Sequence, residues 1–450
     1  MAKRKQTFHL ISLGCPKNLV DSEVMAALLA EGGYLPVASP DAADVIIVNT
    51  CAFIMPAKEE AIETILLAAD YKRTAACRLL IVAGCLPQRY GPQLARALPE
   101  VDLFLGTAGV PHIAGHLDRL LADRGKGAKI HIGKPDFLMT AAHPRRLLTP
   151  GHTAYLKIGE GCNNRCSYCI IPTIRGSARS RPVGDILAEA RELVRRGVRE
   201  IIVIAQDTTA YGRDLPDRPT LPYLLRELAA VAGPAWIRLL YTHPGKITRE
   251  LIRCLSREDK ICPYLDMPVQ HSDGELLRLM NRRGDLPSLR QTLRLIREEG
   301  PEIALRTSLI VGFPGETKKK FEGLVDFVRE ARFDHLGVFT YSREEGTAAA
   351  RLSSRIPEKE KRRRLELLME EQAAISAAIL NGRIGAVMEV LVEGESERRD
   401  YPYIGRNRCQ APEIDGVTFV RGRGVRIGGF CRVRIEAADT YDLFGEVVDN

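Results

Sequence analysis

The sequence predicts a three-part α/β chain: an N-terminal parallel-sheet α/β domain, a central partial (β/α)6 barrel and a small C-terminal all-β barrel. Three observations predict it. The 450 residues suffice for two to three domains that each bury a core. Strand and helix signals alternate over the opening part of the chain and again, on a larger scale, from Thr153. From Arg383 onward the pattern changes to β-branched strands between Gly-rich turns.

In the N-terminal domain (residues 1–123) the short apolar runs at 8–13, 45–48, 79–83 and 101–105 read as buried parallel strands, with helices such as 19–29 and 57–69 between them. Residues 124–152, with their Gly, Lys and Pro and no periodicity, read as a linker. Residues 153–356 carry strand signals at 155–158, 200–205, 236–241, 264–269, 303–311 and 335–341, separated by amphipathic helices such as 185–196, 223–231 and 319–331. Six such units fall short of the usual eight of a closed barrel. Residues 357–382 form a connecting helix whose basic first half reads as a solvated face. In the C-terminal domain (383–450), strands at 386–392, 417–420 and 431–435 suggest a small barrel.

Composition narrows the function. A hydrophobic content of 45% and a charged content of 27% exclude a disordered or fibrous chain, and no apolar run approaches a membrane span. The net charge of +8 is compatible with an anionic or ribonucleoprotein partner. Eleven cysteines are too sparse for a disulfide scaffold. The basic residues Lys3, Arg4 and Lys5 before the apolar stretch that ends at Cys15 imitate a lipoprotein export signal, but that stretch is minimal, contains His9 and runs into Pro16. A cytoplasmic location, which keeps thiols reduced, makes the cysteines ligands or core residues.

Cys162, Cys166 and Cys169 follow the first barrel strand in a C-x3-C-x2-C loop, where barrel active sites gather. That spacing presents three thiolates toward one point. A four-iron cluster takes one sulfur per iron, so three ligands leave one iron open for a small molecule. The alternative is structural zinc, but no fourth His or Cys follows at finger spacing. Cys15, Cys51 and Cys85 are far apart in sequence, yet each follows a predicted strand of the N-terminal domain. Ligands bind outside the carboxyl ends of parallel strands, so these three would converge on a second cluster; the alternative is three small buried hydrophobes. Cys77, Cys254, Cys262, Cys409 and Cys431 share no such spacing and read as packing residues.

The C-x3-C-x-aromatic-C loop after the first strand of a partial barrel resembles the radical S-adenosylmethionine superfamily. The resemblance implies that the open iron chelates the methionyl amino and carboxylate groups and that reductive cleavage gives a 5′-deoxyadenosyl radical. It implies that Tyr168 lies near the adenine, that Gln206 contacts the methionyl end, that Arg306 pairs the carboxylate, and that Gly312 and Gly315 of Gly312-Phe313-Pro314-Gly315-Glu316 lie on the adenosine side. The phrases Ser12-Leu13-Gly14-Cys15-Pro16-Lys17-Asn18, Asn49-Thr50-Cys51 and Gly84-Cys85, with the order of the three domains, resemble the methylthiotransferase family over essentially the whole chain. On that resemblance the last domain is a TRAM barrel, and the cofactors are S-adenosylmethionine and two [4Fe-4S] clusters, held by Cys162, Cys166 and Cys169 and by Cys15, Cys51 and Cys85.

Two branches of the family compete. One modifies an adenosine of transfer RNA and usually carries Gly-Cys-Gln-Met-Asn; Gly14-Cys15-Pro16-Lys17-Asn18 and Gln410-Ala411-Pro412-Glu413 are similar to the other, RimO-type branch, which modifies an aspartate of ribosomal protein S-twelve. Charge agrees. Residues 383–450 hold ten Arg against twelve Asp and Glu, a net of −2, which suits a basic protein better than RNA phosphate. The strip Arg421, Arg423 and Arg426 leaves some nucleic-acid contact open. The implied partners are that ribosomal protein or the small subunit and an electron donor such as a flavodoxin or ferredoxin, with no membrane and a monomeric chain. No side-chain base tuned near neutrality takes a proton from the unactivated β-carbon of an aspartate, so the reaction needs a radical cofactor.

Overall fold

The computed structural model describes residues 5–122, 129–233, 235–282 and 284–448. The N-terminal sheet comprises β1 (Thr7–Ser12), β2 (Leu35–Pro36), β3 (Val45–Thr50), β4 (Leu79–Gly84), β5 (Leu103–Leu105) and β6 (Ile130–His131), all parallel in the order β2-β1-β3-β4-β5-β6. Strands β3 and β4 are buried along their whole length, because helices cover both faces of the sheet. These are α1 (Pro16–Glu31), α2 (Met55–Thr74), α3 (Cys85–Ala97) and α4 (Ile113–Ala122). Part of the segment read as linker thus supplies the sixth strand; residues 123–128 of it, like Met1 to Arg4 of the basic start, lie outside the described residues.

The central domain contains β7 (Thr153–Lys157), the short pair β8 (Gly159–Glu160) and β9 (Arg179–Ser180), then β10 (Glu200–Ile204), β11 (Trp236–Leu239), β12 (Tyr264–Asp266), β13 (Ala304–Val311) and β14 (His335–Thr340). Two parallel three-stranded sheets, β7-β10-β11 and β12-β13-β14, are joined by an Ile237–Ile261 bridge into an open barrel of six consecutive strands. The helices of this domain are α5 (Ile171–Arg175), α6 (Val183–Arg195), α7 (Leu221–Ala230), α8 (Arg249–Arg257), α9 (Gly274–Leu279), α10 (Leu286–Glu299) and α11 (Lys318–Ala331). The amphipathic ones bury faces such as Ile186, Ala190 and Leu193 against the outer sheet surface.

After α12 (Glu358–Asn381) come β15 (Val387–Glu395), β16 (Tyr403–Asn407), β17 (Thr418–Arg421), β18 (Phe430–Ala438) and β19 (Leu443–Val447), which close as β15-β16-β17-β19-β18. Sequence patterning misses β16 and β19. In β16, Gly405 and Arg406 break the apolar alternation, yet Arg406 is buried because Glu200 and Glu393 neutralise it. The basic half of α12 also departs from the expected solvated face. Lys361 and Arg364 are buried and donate to the carbonyls of Tyr341 (2.9 Å) and Glu316 (2.9 Å).

The two flanking domains cap opposite ends of the open barrel. At the strand starts, Glu200 lies between Arg238 (2.7 Å) and Arg406, Trp236 Nε1 donates to Glu389 (2.8 Å), and Tyr264 donates to Asp415 (2.6 Å). At the strand ends, Lys157 and Arg175 meet Asp21 of the N-terminal domain. The carboxyl edges of both sheets therefore face one seam. No helix among the described residues is long and apolar enough to cross a membrane.

Candidate active site

Cys15 is the N-cap of α1, immediately after β1; Cys51 follows β3; Cys85 opens α3 after β4. Two glycines let these turns close. Gly14 (φ +87°) sits so near Cys51 that a Cβ on it would stand 2.6 Å from the Cys51 Cβ. Gly84 (φ +94°) would place a Cβ 2.2 Å from Asn49 Oδ1. Asn18 donates to the Leu13 carbonyl (2.7 Å), and Asn49 donates to the Asn18 carbonyl (2.9 Å), which ties the first two turns together. Cys51 and Cys85 both lie within electrostatic reach of Cys15. Burial first, then Cys51 and Cys15, push the Cys85 thiol up to about 12, while Arg175 opposes them. Cys51 is likewise raised by burial and by Cys15.

The second trio lies on the loop between β8 and α5. Cys162 N donates to the Gly176 carbonyl (3.1 Å), and Ser167 is fixed by Met280 (2.9 Å) and Leu279 (2.7 Å). Asn164 donates to Asp207 (2.6 Å), which Lys246 also pairs. Burial and then Cys166 and Cys162 raise the Cys169 thiol to about 12; burial also raises Cys162. Among the described residues no three His, Cys, Asp or Glu side chains stand close enough to share a single ion. A cluster asks for something wider, since each thiolate takes a different iron.

Both trios suit such a group. All six donors are soft sulfurs, and Cys15 and Cys85 stand at helix N-termini, where the dipole favours thiolate. Arg175 donates to Cys85 Sγ at 3.3 Å, while Arg282 faces Cys166 Sγ at 3.8 Å and donates to the Tyr168 hydroxyl at 3.3 Å. The two sites are also neighbours. Helix α5 leads from the Cys169 turn to Arg175, and Ile174 on it, with Ile170 just before it, packs into the N-terminal core.

The expected S-adenosylmethionine contacts scatter more. Tyr168 packs by the cysteine loop against Leu276, Met280 and Phe313. Gln206 donates to Glu160, and its buried carbonyl oxygen has no hydrogen-bond partner among the described residues. Arg306 is turned the other way, toward Asp415 of the C-terminal barrel (3.0 Å) and Asp266 (3.8 Å). Gly312 makes room for the stem of Lys361, which a Cβ would meet at 2.3 Å, and Gly315 abuts Leu279 at 3.4 Å.

Sequence reasoning missed Lys17, Glu160, Arg175 and Arg282. Burial pulls the Lys17 ammonium below its ordinary range against the raising influence of Cys15, Asp266 and Glu160. Only Lys17 carried a signal, as the basic residue of the Cys15 phrase; isolated arginines carry none.

Residues 7–106 match the Uncharacterized protein family UPF0004, residues 156–328 the Radical SAM superfamily and residues 384–448 the TRAM domain. The chain is 56% identical over 450 residues to the ribosomal protein uS12 methylthiotransferase RimO of Syntrophus aciditrophicus, covering 99% of each chain. It is 50% identical over 448 residues to the same-named protein of Geobacter sulfurreducens, covering 100% of each. Among solved structures, the radical S-adenosylmethionine methyltransferase TsrM of Kitasatospora setae superposes with a TM-score of 0.57 at 15% identity, over 77% of this chain and 74% of that one. The cobalamin-dependent radical enzyme OxsB gives 0.52 at 13% identity, over 82% and 58%. These two likenesses are of fold.

Proposed function

The chain belongs to the ribosomal protein uS12 methylthiotransferase family of radical S-adenosylmethionine enzymes, and on that premise we propose that it adds a methylthio group to the β-carbon of an aspartate of uS12. We assign one [4Fe-4S] cluster, with S-adenosylmethionine, to Cys162, Cys166 and Cys169, and a second to Cys15, Cys51 and Cys85. When bound, these groups supply a carbon-centred radical that takes an unactivated hydrogen, and a sulfur to replace it. The observation that carries the reading is the seam: Arg175, at the end of the helix leading from Cys169, donates to Cys85 Sγ.

The chain's own residues then bind and orient. Tyr168 and the carbonyl oxygen of Gln206 would be the groups to hold the first trio's ligand, while Gly312, filled by Lys361, and Gly315, against Leu279, would offer it only their backbone. Arg306, satisfied by Asp415, braces the C-terminal barrel rather than meeting that ligand. The domains follow the boundaries 1–123, 153–356 and 383–450, with 357–382 as a connection; of 124–152, Ile130–His131 joins the N-terminal sheet as β6. The chain acts as a monomer in the cytoplasm, where its substrate is, with a flavodoxin or ferredoxin as electron donor.

Mass spectrometry of uS12 from cells with and without this chain tests the reading. The expected result is a methylthio mass on one aspartate only when the chain is present; an unchanged mass overturns it.

Loading must also depend on pH. Thiols raised to about 12 are protonated near neutrality and must release protons to become ligands. Iron bound per chain after anaerobic reconstitution is expected to be higher at about pH 8.5 than at about pH 6.5. Equal loading at both would contradict the thiolate assignment.

A further inference from the structure

Lys17 is placed where a lysine is hard to keep. It lies in the first turn of α1, at the positive end of the helix dipole, with no acidic residue in that turn. It is only 7% exposed, and among the described residues no carboxylate stands within ion-pair distance of its ammonium, although Asp266 and Glu160 lie near enough to act on it. The acids around it are engaged elsewhere. Asp21 and Glu160 pair with Lys157 and Arg175, and Asp266 accepts from the Tyr241 backbone (2.9 Å) and faces Arg306.

One contact offsets these costs: the ammonium lies 3.1 Å from the centroid of the Tyr241 ring. Tyr241 itself follows β11 with φ +61°, a left-handed backbone that an aromatic residue rarely adopts. A strained tyrosine from the barrel thus backs a lysine from the N-terminal domain that has no ion pair among the described residues. Cys15 and Tyr241 on either side of it are only half-buried, so the lysine sits just beneath the surface of the seam.

We propose that Lys17 is a specificity-determining residue whose ammonium receives the carboxylate of the substrate side chain, beside the Cys15 trio. The proposal rests on the reading of the substrate as an aspartate. A neutral base such as adenine would leave this buried cation unpaired, whereas a carboxylate completes it. The acid that the fold withholds from Lys17 is brought by the substrate, and the pair sets the side chain's orientation in the seam.

The test is a double-mutant cycle on reconstituted holoenzyme, with uS12 as substrate and with uS12 carrying Asn for the modified Asp. With wild-type enzyme, the change to Asn is expected to weaken binding about 10- to 100-fold, as loss of a charge-assisted pair does. Lys17→Met should weaken binding of normal uS12 by a similar factor, raise KM more than it lowers kcat, and bind the Asn form no worse than wild type does. Lys17→Arg should recover part of the loss. Iron content equal to wild type shows that the variants are folded and loaded. Additive losses, or full affinity of Lys17→Met for uS12, overturn the proposal. Failure of wild-type enzyme to modify uS12 at all instead overturns the substrate reading beneath it.

Discussion

Replacing Cys162, Cys166 or Cys169 with alanine is expected to lower iron from about eight to about four atoms per chain and to abolish 5′-deoxyadenosine formation from S-adenosylmethionine. The same change at Cys15, Cys51 or Cys85 should remove the other four or so irons. Those variants should still form 5′-deoxyadenosine while adding no methylthio group to uS12. The asymmetry follows from position. The first trio lies on a loop of the radical SAM domain, braced by Asp207, Met280 and Leu279 of that same domain. The second is built from three separate turns of the N-terminal sheet, held by Asn18 and Asn49. Alanine at Cys77, Cys254 or Cys262, which are buried packing residues, should leave iron unchanged. Iron analysis and chromatography of the nucleoside products check both halves. Loss of 5′-deoxyadenosine from both trios alike would mean that they do not serve separate groups.

The strand-end rule predicts that Cys15, Cys51 and Cys85 converge, because parallel sheets align their carboxyl edges whatever the sequence separation. The Cys162 loop was legible from spacing alone. Other features escaped, for reasons that are themselves physical. Strand β16 hides behind Arg406, whose burial depends on Glu200, some 200 residues earlier in the chain. Gly312 reads as a ligand cradle, but its open side is filled by Lys361 of α12, a packing partner that no local pattern announces. Arg306 reads as a carboxylate clamp, and it does clamp one, that of Asp415. Charged residues that bridge domains carry no periodicity, so the seam between the N-terminal domain and the barrel could only be found in three dimensions.

That seam sets the second large expectation. Asp21 and Glu160 face Lys157 and Arg175 in a buried four-charge cluster: Lys157 lies 2.6 Å from Asp21 and 2.9 Å from Glu160, and Arg175 lies 2.5 Å from Asp21. Lys157→Met leaves two carboxylates against one guanidinium, which should cost about 3–5 kcal/mol. Thermal unfolding should show the loss, and iron at the Cys15 trio should fall with it, because Arg175 would be drawn from Cys85. The pH dependence has a definite sign. Burial alone would raise the Glu160 carboxyl, but Lys157 and Arg175 outweigh it and hold it down to about 2. Its contribution is therefore complete above the ordinary value near 4.5 and disappears as pH falls toward 2. Over that window wild type should lose stability more steeply than Lys157→Met, in which Glu160 is less depressed. Adding Glu160→Gln to Lys157→Met restores the balance of one carboxylate to one guanidinium. The double variant should then be less destabilised than the sum of the singles. Strict additivity would mean that these charges do not act as one unit, and that apolar packing alone holds the N-terminal domain over the barrel.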